Sequence, residues 1–399
     1  MKKCIFNGTV VTPDDLLPHS SVVTRDDRIL SVQPMDSLND CGKGDDETLW
    51  FDARGGYIMP GFIDIHSDYI EGVIQPRPTS LMDFETGIRE AEKQLLGNGI
   101  TTIYHSLSLM NGNGTQEKYS FRKSENLERL VGLIQDFHNG CHLIRHRFHA
   151  RYEIDNLGIF GYLKEMLESG LVHELSFMDH TPGQGQYRDL EIYARSGEAP
   201  DNFGGKDADK FLAECRNKPV AAHSMLKQLA SIAHERGIPL ASHDDDTLEK
   251  LALMKNEYGI RISEFPVEME VARNAHDEGI LVVIGAPNVM LGKSHSGNIS
   301  AIDAIRGGCA DILCSDYYPP SLLHSVFKLE AERVLTLPQA VRMLTLNPAA
   351  AMGIADEFGS VEAGKKADLL VVRKIQDRPV ICKCFIDGRT TMQIEYRVG

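Results

Sequence analysis

The chain has 399 residues, of which 42% are hydrophobic and 25% are charged. This composition is typical of a folded globular protein and argues against disorder. Its 57 acidic residues outnumber the 42 basic ones, giving a formal charge of −15, which argues against a nucleic-acid or anionic-membrane binder because neither surface attracts an acidic protein.

No segment of the sequence predicts export or membrane insertion. Residues 1–8 contain two lysines but lack the apolar stretch of a signal peptide. Apolar runs such as 280–284 are far shorter than the roughly 20 residues of a membrane span. The eight cysteines lack the close spacings of a disulfide framework, so we expect reduced thiols. These features predict a cytoplasmic protein.

The two ends of the chain have the same character. Short β-branched runs separated by charged turns fill the first fifty residues, and similar runs with an Asp387–Gly388 hairpin signal fill the last forty. We expect both ends to pair in one small β-sandwich-like domain, formed by residues 1–56 and 357–399. The middle, residues 57–356, would then form a second domain inserted between them.

The middle of the chain alternates apolar strands with amphipathic helices. The predicted strands are 58–65, 101–109, 143–154, 171–178, 239–243, 260–265, 281–285 and 311–315. The predicted helices are 86–96, 124–138, 159–168, 225–236, 267–276, 301–307 and 337–344. Eight such repeats favour an α/β fold with a closed (β/α)8 TIM-like barrel over an open sheet, and no nucleotide-binding glycine motif supports the open sheet. The long polar segment 181–210 is a candidate lid.

Ionisable side chains follow most of the predicted barrel strands. His66 and Asp68 lie two residues apart and so share one face of the first strand. Glu153 ends the third strand, His180 follows the fourth, His243 ends the fifth and Asp316 follows the eighth. Core packing does not require such residues, because a buried charge is costly unless it is paired or bound to a metal. Histidines and carboxylates around an open site suit Zn²⁺, Mn²⁺ or a similar ion that activates water.

Several sequence stretches resemble the amidohydrolase superfamily. MPGFIDIHSD at 59–68 is similar to its first-strand metal motif, and the late NPAAA at 347–351 and GKKADLLVV at 364–372 fit its layout. DYIEGVIQPRP at 68–78, GAPNVMLGKSHSGN at 285–298 and DILCSDYYP at 311–319 resemble one subfamily more closely. These are the phosphonate-metabolism diphosphatases, which hydrolyse α-D-ribose 1-methylphosphonate 5-triphosphate to the 5-phosphate and pyrophosphate.

The resemblance implies a role for each matching residue. His66 and Asp68 would bind the more buried of two metal ions, Glu153 would bridge the ions, and His180 and His243 would hold the second. Asp316 would be the catalytic residue that orients or deprotonates the attacking water, and it would also be a metal ligand. The superfamily's usual second histidine of strand one is Asp68 here, and no lysine lies near the end of strand four to form a carbamate bridge. Glu153 therefore takes that part or the site holds one ion. His180 and His243 also fall one strand earlier than in much of the superfamily.

The loop after the seventh predicted strand suits phosphate. Its small residues expose backbone N–H groups before a helix, and Lys293, Ser294 and His295 add donors. Asn288, Arg77 and Tyr69 are further candidate substrate contacts, and Arg147, Arg151 and Arg188 are other cations that could bind phosphate. His142, His146 and His149 are interpreted as one polar face of a strand. The implied partner is a small phosphorylated sugar, and the implied assembly is a homodimer.

Three functions remain open on the sequence. The first is phosphoanhydride hydrolysis with one or two divalent ions, zinc before manganese or magnesium. The second is hydrolysis of a C–N bond, as in dihydroorotase-like or deaminase-like relatives, because fold alone does not select the substrate. The third is a barrel without activity that serves as an assembly surface. The charge of −15 does not exclude an anionic substrate, since two divalent ions would outweigh Asp68, Glu153 and Asp316 locally.

Overall fold

Both ends of the chain build one eight-stranded sheet in the structure, a computed structural model that describes residues 1–40, 48–109, 121–182, 185, 190–191, 212–213, 215, 217–292 and 298–397. Its strands are β1 (Lys2–Val11), β2 (Leu16–Arg25), β3 (Arg28–Pro34), β4 (Thr48–Asp52), β5 (Tyr57–Pro60), β14 (Leu369–Ile375), β15 (Arg378–Ile386) and β16 (Arg389–Gln393). The order is β16-β15-β14-β5-β1-β2-β3, with β4 paired to β1. Apolar side chains that include Ile5, Ile58 and Phe385 form its core. The predicted β-rich unit made from both termini is confirmed.

The middle of the chain forms a nearly closed barrel of eight parallel strands. They are β6 (Phe62–Ser67), β7 (Ile100–Leu109), β8 (Arg145–Glu153), β9 (Glu174–Met178), β10 (Leu240–His243), β11 (Ile262–Glu264), β12 (Leu281–Gly285) and β13 (Ile312–Cys314). A bridge between Ser67 and Asp316 joins the last strand to the first. Each of the eight predicted barrel strands has a counterpart, although the first is shorter than predicted, so the TIM-like barrel is confirmed. The strand count that places His180 after the fourth strand is correct.

Helices cover the outside of the barrel. Those described are α1 (Tyr69–Ile74), α2 (Phe84–Gly97), α3 (Ser124–Asn139), α4 (Phe160–Ser169), α5 (His223–Glu235), α6 (Leu248–Tyr258), α7 (Met269–Asp277), α8 (Ala286–Leu291), α9 (Ala301–Arg306), α10 (Ser321–Ala331), α11 (Leu337–Arg342) and α12 (Leu346–Ala351). Side-chain caps mark several helix starts, as where the Asp83 carboxylate accepts from the Thr86 N–H at 2.9 Å. The apolar faces of these helices and the outer faces of the strands share one large core.

One predicted strand needs correction. The sequence predicts 58–65 as a single barrel strand, but Tyr57–Pro60 pairs with β1 and β14 in the terminal sheet. Gly61 separates it from β6, and a Cβ there would lie 2.3 Å from the Thr101 side chain. Hydrophobicity is continuous across this point, so the sequence pattern could not reveal that the chain changes sheets. The domain boundaries, the homodimer and the cytoplasmic location stay predictions.

The candidate lid 181–210 lies almost wholly outside the described residues. Within the described ranges, no helix has both the length and the apolar character needed to cross a membrane. The cysteines that the structure describes are free thiols.

The Asp387–Gly388 turn provides a test of the terminal sheet. Both residues have positive φ, 48° and 66°, as a type I′ hairpin requires. A Cβ on Gly388 would lie 2.0 Å from the Asp26 carbonyl oxygen. We expect Gly388→Ala to lower the free energy of unfolding by about 1–3 kcal/mol for this clash, in addition to about 1 kcal/mol for the backbone conformation.

Gly55→Ala is the matched control for this prediction. Gly55 has a φ of 75°, but a Cβ at this position would have no neighbouring atom within 4 Å, so it carries the backbone cost without the clash. Urea unfolding midpoints of the two variants and the wild type measure the difference. Equal losses in both variants would contradict the predicted role of the Asp26 contact.

Candidate active site

All six predicted metal residues lie at the carboxyl end of the barrel. His66 is the second-last residue of β6 and Asp68 follows its end directly, while Glu153 and His243 are the last residues of β8 and β10. His180 follows β9 by two residues and Asp316 follows β13 by two. The backbone fixes part of this arrangement, since the Asp316 N–H donates to the His66 carbonyl and the Asp68 N–H donates to the Asp316 carbonyl, both at 3.0 Å. Parallel strands bring residues far apart in sequence to one mouth.

The structure also places a residue there that the sequence pattern did not single out. Glu264, the last residue of β11, is fully buried. One carboxylate oxygen lies 2.6 Å from Nδ1 of His66 and the other lies 3.0 Å from Nδ1 of His243. The two imidazole rings stack with their centres 5.3 Å apart. Glu264 thus fixes both rings, and its position at the end of the sixth predicted strand is the signal that could have found it.

A second group of side chains surrounds His180. Nδ1 of His180 contacts the Glu153 carboxylate, and its Nε2 lies 3.5 Å from Oδ2 of Asp244. Nε2 of His243 lies 3.7 Å from the same oxygen. These separations are too long for good hydrogen bonds. They match the spacing of about 3.4 Å between two ligands that sit about 2.1 Å from one tetrahedral zinc ion.

The three residues His180, His243 and Asp244 have the chemistry of a site for a divalent cation. Oδ2 of Asp244 is buried and has no hydrogen-bond partner among the described residues, which is costly unless a cation satisfies it. His180 and His243 each have Nδ1 on a carboxylate and Nε2 near Asp244, the arrangement that metal-binding histidines adopt. His180, His243 and Asp244 could therefore hold a metal ion.

The shifted pKa values of His180 and Glu153 are consistent with a cation site. Burial acts to lower the pKa of His180, but Glu153 and Asp244 outweigh it and raise the pKa to about 10. Burial acts to raise the pKa of Glu153, but the same ion pair holds it below its usual range. A cation bound here would take the place of the His180 proton.

A deeper group lies below the mouth. His66, His149 and Glu264 are fully buried and could also converge on one ion. Nε2 of His149 lies 2.9 Å from the Ser176 hydroxyl and its Nδ1 lies 3.0 Å from the Ser106 hydroxyl. The interpretation of His142, His146 and His149 as one polar face is wrong. His149 points into the barrel, whereas Nδ1 of His146 meets His105 at 2.9 Å on the helix side, because alternate residues of a strand face opposite ways.

Asp68 and Asp316 form a pair of neighbouring carboxyl groups. Burial raises the pKa of Asp68, against the opposing charges of Arg151 and Arg122. Burial, and next to it the Asp68 carboxylate, raise the pKa of Asp316 to about 8. Both residues are half-buried, and like charges in one site repel each other, so a cation bound nearby would stabilise the charged form of both carboxyl groups.

The predicted substrate contacts are only partly described. Lys293, Ser294 and His295 lie outside the described residues, as does Arg188. Asn288 lies in α8, directly after β12, and its Oδ1 is buried without a hydrogen-bond partner among the described residues. Arg77 is exposed in a turn that the Ser80 N–H closes at 2.9 Å. The Tyr69 hydroxyl donates to Gln94 on α2. The Asn288 side-chain oxygen could therefore accept a hydrogen bond from a ligand, whereas the Tyr69 hydroxyl is already bonded to Gln94.

The Asp244 carboxylate can be tested directly. Loss of a residue that only orients a metal ligand usually weakens metal binding by about 10–100-fold. Because Asp244 would bind the ion directly, we expect Asp244→Asn to weaken zinc binding by more than that. Asparagine tolerates the positive φ of 51° at this position, so the backbone should be retained. Asp246→Asn is the control, because its carboxylate accepts instead from the Gly185 N–H at 2.8 Å. Competition against a zinc-binding dye measures both, and equal affinities would contradict the assignment.

The fold and the site together define a class of protein. A barrel that gathers histidines and carboxylates at the carboxyl ends of its strands is the arrangement of a metal-dependent barrel hydrolase. Comparison with known proteins identifies the family. The sequence profile of the amidohydrolase family matches residues 213–391. The chain is 32% identical over 329 residues to the alpha-D-ribose 1-methylphosphonate 5-triphosphate diphosphatase of Escherichia coli, covering 81% of this chain and 85% of that one. The chain belongs to the amidohydrolase family, whose members generally bind divalent metals.

Other similar proteins act on different bonds or show only the fold. The imidazolonepropionase of Porphyromonas gingivalis is 24% identical over 363 residues, covering 81% of this chain and 76% of that one. The N-acetylglucosamine-6-phosphate deacetylase structure from Pasteurella multocida matches with a TM-score of 0.60 at 14% identity, over 98% of this chain and 99% of that one. A molinate hydrolase structure matches with a TM-score of 0.65 at 14% identity, over 98% and 94%. These structures support the fold alone.

Proposed function

We propose that this protein hydrolyses the triphosphate of α-D-ribose 1-methylphosphonate 5-triphosphate, releasing pyrophosphate and leaving the 5-phosphate. The observation that carries the proposal is the 32% identity to the diphosphatase of that name, which extends over about four fifths of both chains. The matched region includes most of the barrel, so the similarity concerns the unit that holds the site.

The site residues supply what this reaction needs. His180, His243 and Asp244 would hold one divalent ion, and His66 and Asp68 are the proposed ligands of a second. Zinc is proposed first because two imidazoles with a carboxylate suit it, with manganese or magnesium as alternatives. When bound, such an ion supplies positive charge for the phosphoryl oxygens and makes water easier to deprotonate. Glu264 would orient the rings of His66 and His243 through Nδ1. Glu153, the predicted bridging ligand, contacts Nδ1 of His180, so its proposed role is to orient that ring, with bridging of the two ions as the alternative.

Asp316 is the proposed proton acceptor. As the water oxygen forms a bond to phosphorus and a bridging P–O bond breaks, one water proton passes to the Asp316 carboxylate, and pyrophosphate leaves. One backbone hydrogen bond to His66 of β6 and one to Asp68, just after β6, hold Asp316 next to these two residues. A base fixed in this way contributes about 10²–10⁴-fold to the rate, so we expect Asp316→Asn to lose activity by that factor while retaining its fold.

Phosphorus NMR tests the proposal. Zinc-loaded protein is incubated with the ribose-linked triphosphate, and the expected products are a pyrophosphate signal and one phosphate monoester in equal amounts. The Asp316→Asn variant, loaded in the same way, is the control for contaminating phosphatases. Release of orthophosphate alone, or no turnover, would contradict the proposed reaction.

C–N bond hydrolysis is the second candidate. The similarity to imidazolonepropionases favours it, since one of them is 24% identical over 363 residues. A panel of cyclic amides and imidazolones, assayed on the same metal-loaded sample, separates the candidates. Turnover of an imidazolone with an intact triphosphate would replace the first proposal by the second.

A further inference from the structure

Arg151 is a buried cation in the middle of the site. It lies on β8 between His149, which points into the barrel, and Glu153, which reaches the mouth, and alternation along the strand places all three on the inner face. The residue is only 8% exposed. A guanidinium is costly to bury unless something anionic compensates it.

The contacts of Arg151 do not provide that compensation. Its Nε donates to Sδ of Met178 at 3.2 Å, and a thioether is a weak acceptor. Among the residues that the structure describes, no carboxylate oxygen lies within 4.0 Å of its nitrogens. The neighbouring Arg122 differs, because it forms an ion pair with Glu71 at 2.8 Å.

The surroundings of Arg151 are nevertheless acidic. Met178, which its Nε contacts, is the last residue of β9, and Glu153 is the last residue of β8, so the guanidinium lies at the level where the strands open into the mouth. The mouth carries Asp68, Glu153 and Asp316, and no carboxylate among the described residues forms an ion pair with Arg151. Its planar fork of donors matches two oxygens of a phosphate group, and arginine is the side chain best suited to such contacts.

We propose that Arg151 is a substrate-binding residue that receives phosphoryl oxygens in the mouth of the barrel, which makes the site selective for a phosphorylated ligand over a neutral amide. This inference rests on the proposed function and names the residue that would recognise the polyphosphate. In the sequence Arg151 is only one of several candidate cations. In the described part of the structure, its burial and the lack of an ion pair distinguish it.

Calorimetric titration of zinc-loaded protein with inorganic pyrophosphate tests the inference without turnover. We expect Arg151→Met to weaken pyrophosphate binding by about 10–100-fold, the value of a charge-assisted hydrogen-bond pair. Arg151→Lys should lie between this variant and the wild type, because it keeps the charge but loses the fork. The control is Arg129→Met on α3, where an exposed arginine pairs with Asp83 at 3.4 Å, and its affinity should be unchanged.

Zinc content and thermal midpoint separate binding from a structural role. Weaker pyrophosphate binding with wild-type zinc content and midpoint supports the inference. Wild-type affinity in Arg151→Met, or a loss that only parallels loss of zinc, overturns it. If Arg151→Met fails to fold, Arg151→Lys decides the question, and an affinity of Arg151→Lys equal to that of the wild type overturns the inference.

The wild-type protein separates this inference from the proposed function. If it binds pyrophosphate through Arg151 but does not cleave the triphosphate, the proposed function fails and the inference stands. If the wild type does not bind pyrophosphate, the inference fails.

Discussion

We expect Glu264→Gln to reduce metal affinity by about 10–100-fold, the usual cost of losing an orienting partner. Turnover should fall at least as much. In the wild type, the two oxygens of Glu264 accept from Nδ1 of His66 and Nδ1 of His243 at 2.6 and 3.0 Å. An amide offers one acceptor and presents an NH2 group to the other ring. That ring must then turn or change tautomer, which moves its proton to Nε2 and removes the nitrogen that would face a metal.

Burial makes this effect large. Glu264 is fully buried, so solvent is not available to replace the lost acceptor. Zinc stoichiometry, turnover and the nitrogen chemical shifts of labelled histidine measure the three expected changes. Glu249→Gln, an exposed change in the first turn of α6, should alter none of them. A Glu264→Gln variant with wild-type zinc content and turnover would show that the two histidines do not depend on this carboxylate.

The second large effect is expected at Arg145, which joins the barrel to the terminal sheet. This β8 residue pairs with Asp368, just before β14, and lies 2.7 Å from Asp387 in the turn between β15 and β16. Its guanidinium also lies 4.6 Å from the centre of the Phe358 ring. We expect Arg145→Met to lower the free energy of unfolding by about 3–5 kcal/mol, because Asp368 is left buried without a cation.

Two further variants and a pH series make this prediction specific. Arg342→Met removes an exposed pair with Asp14, where the side chains are 40% and 80% exposed, and should cost less than about 1 kcal/mol. Arg145→Met combined with Asp368→Asn should recover part of the loss. Burial raises the pKa of Asp368, and without Arg145 it rises further above the unfolded value. The folded variant then binds the extra proton, so its deficit should shrink as the pH falls from 7.5 to 5. Denaturant unfolding measures these values, and an Arg145→Met loss as small as that of Arg342→Met would contradict the prediction.

The barrel and the terminal sheet were predictable because they depend on patterns that are local in sequence. Buried parallel strands are continuous apolar runs, and eight of them alternating with helical segments favour one fold. The hairpin at Asp387–Gly388 was predictable because its two positive φ angles suit few residue types. The change of sheet at Gly61 was not predictable, because β5 and β6 are equally apolar and differ only in the sheet that each joins.

The six predicted site residues share one property, a polar side chain where a strand ends, and the sequence determines that property. Glu264 shares that property and could have been added to them, but its contact with His66 could not be predicted, because His66 is 198 residues away. Arg151 was one of several candidate cations until the structure showed which one is buried without an ion pair among the described residues.

The run Asp244-Asp245-Asp246 separates the two levels most clearly. The sequence pattern does not distinguish these three carboxylates, because all three directly follow the same strand. In the structure Asp245 accepts from the hydroxyls of Ser242 and Ser263 at 2.5 and 2.7 Å, and Asp246 accepts from the Gly185 backbone. Only Asp244, at a φ of 51°, approaches His180 and His243. The sequence by itself thus determined the fold, the family resemblance and the end of the barrel that carries the chemistry. Tertiary structure decided which carboxylate meets which histidine, because side-chain direction depends on local backbone angles and on partners brought together by the closed barrel.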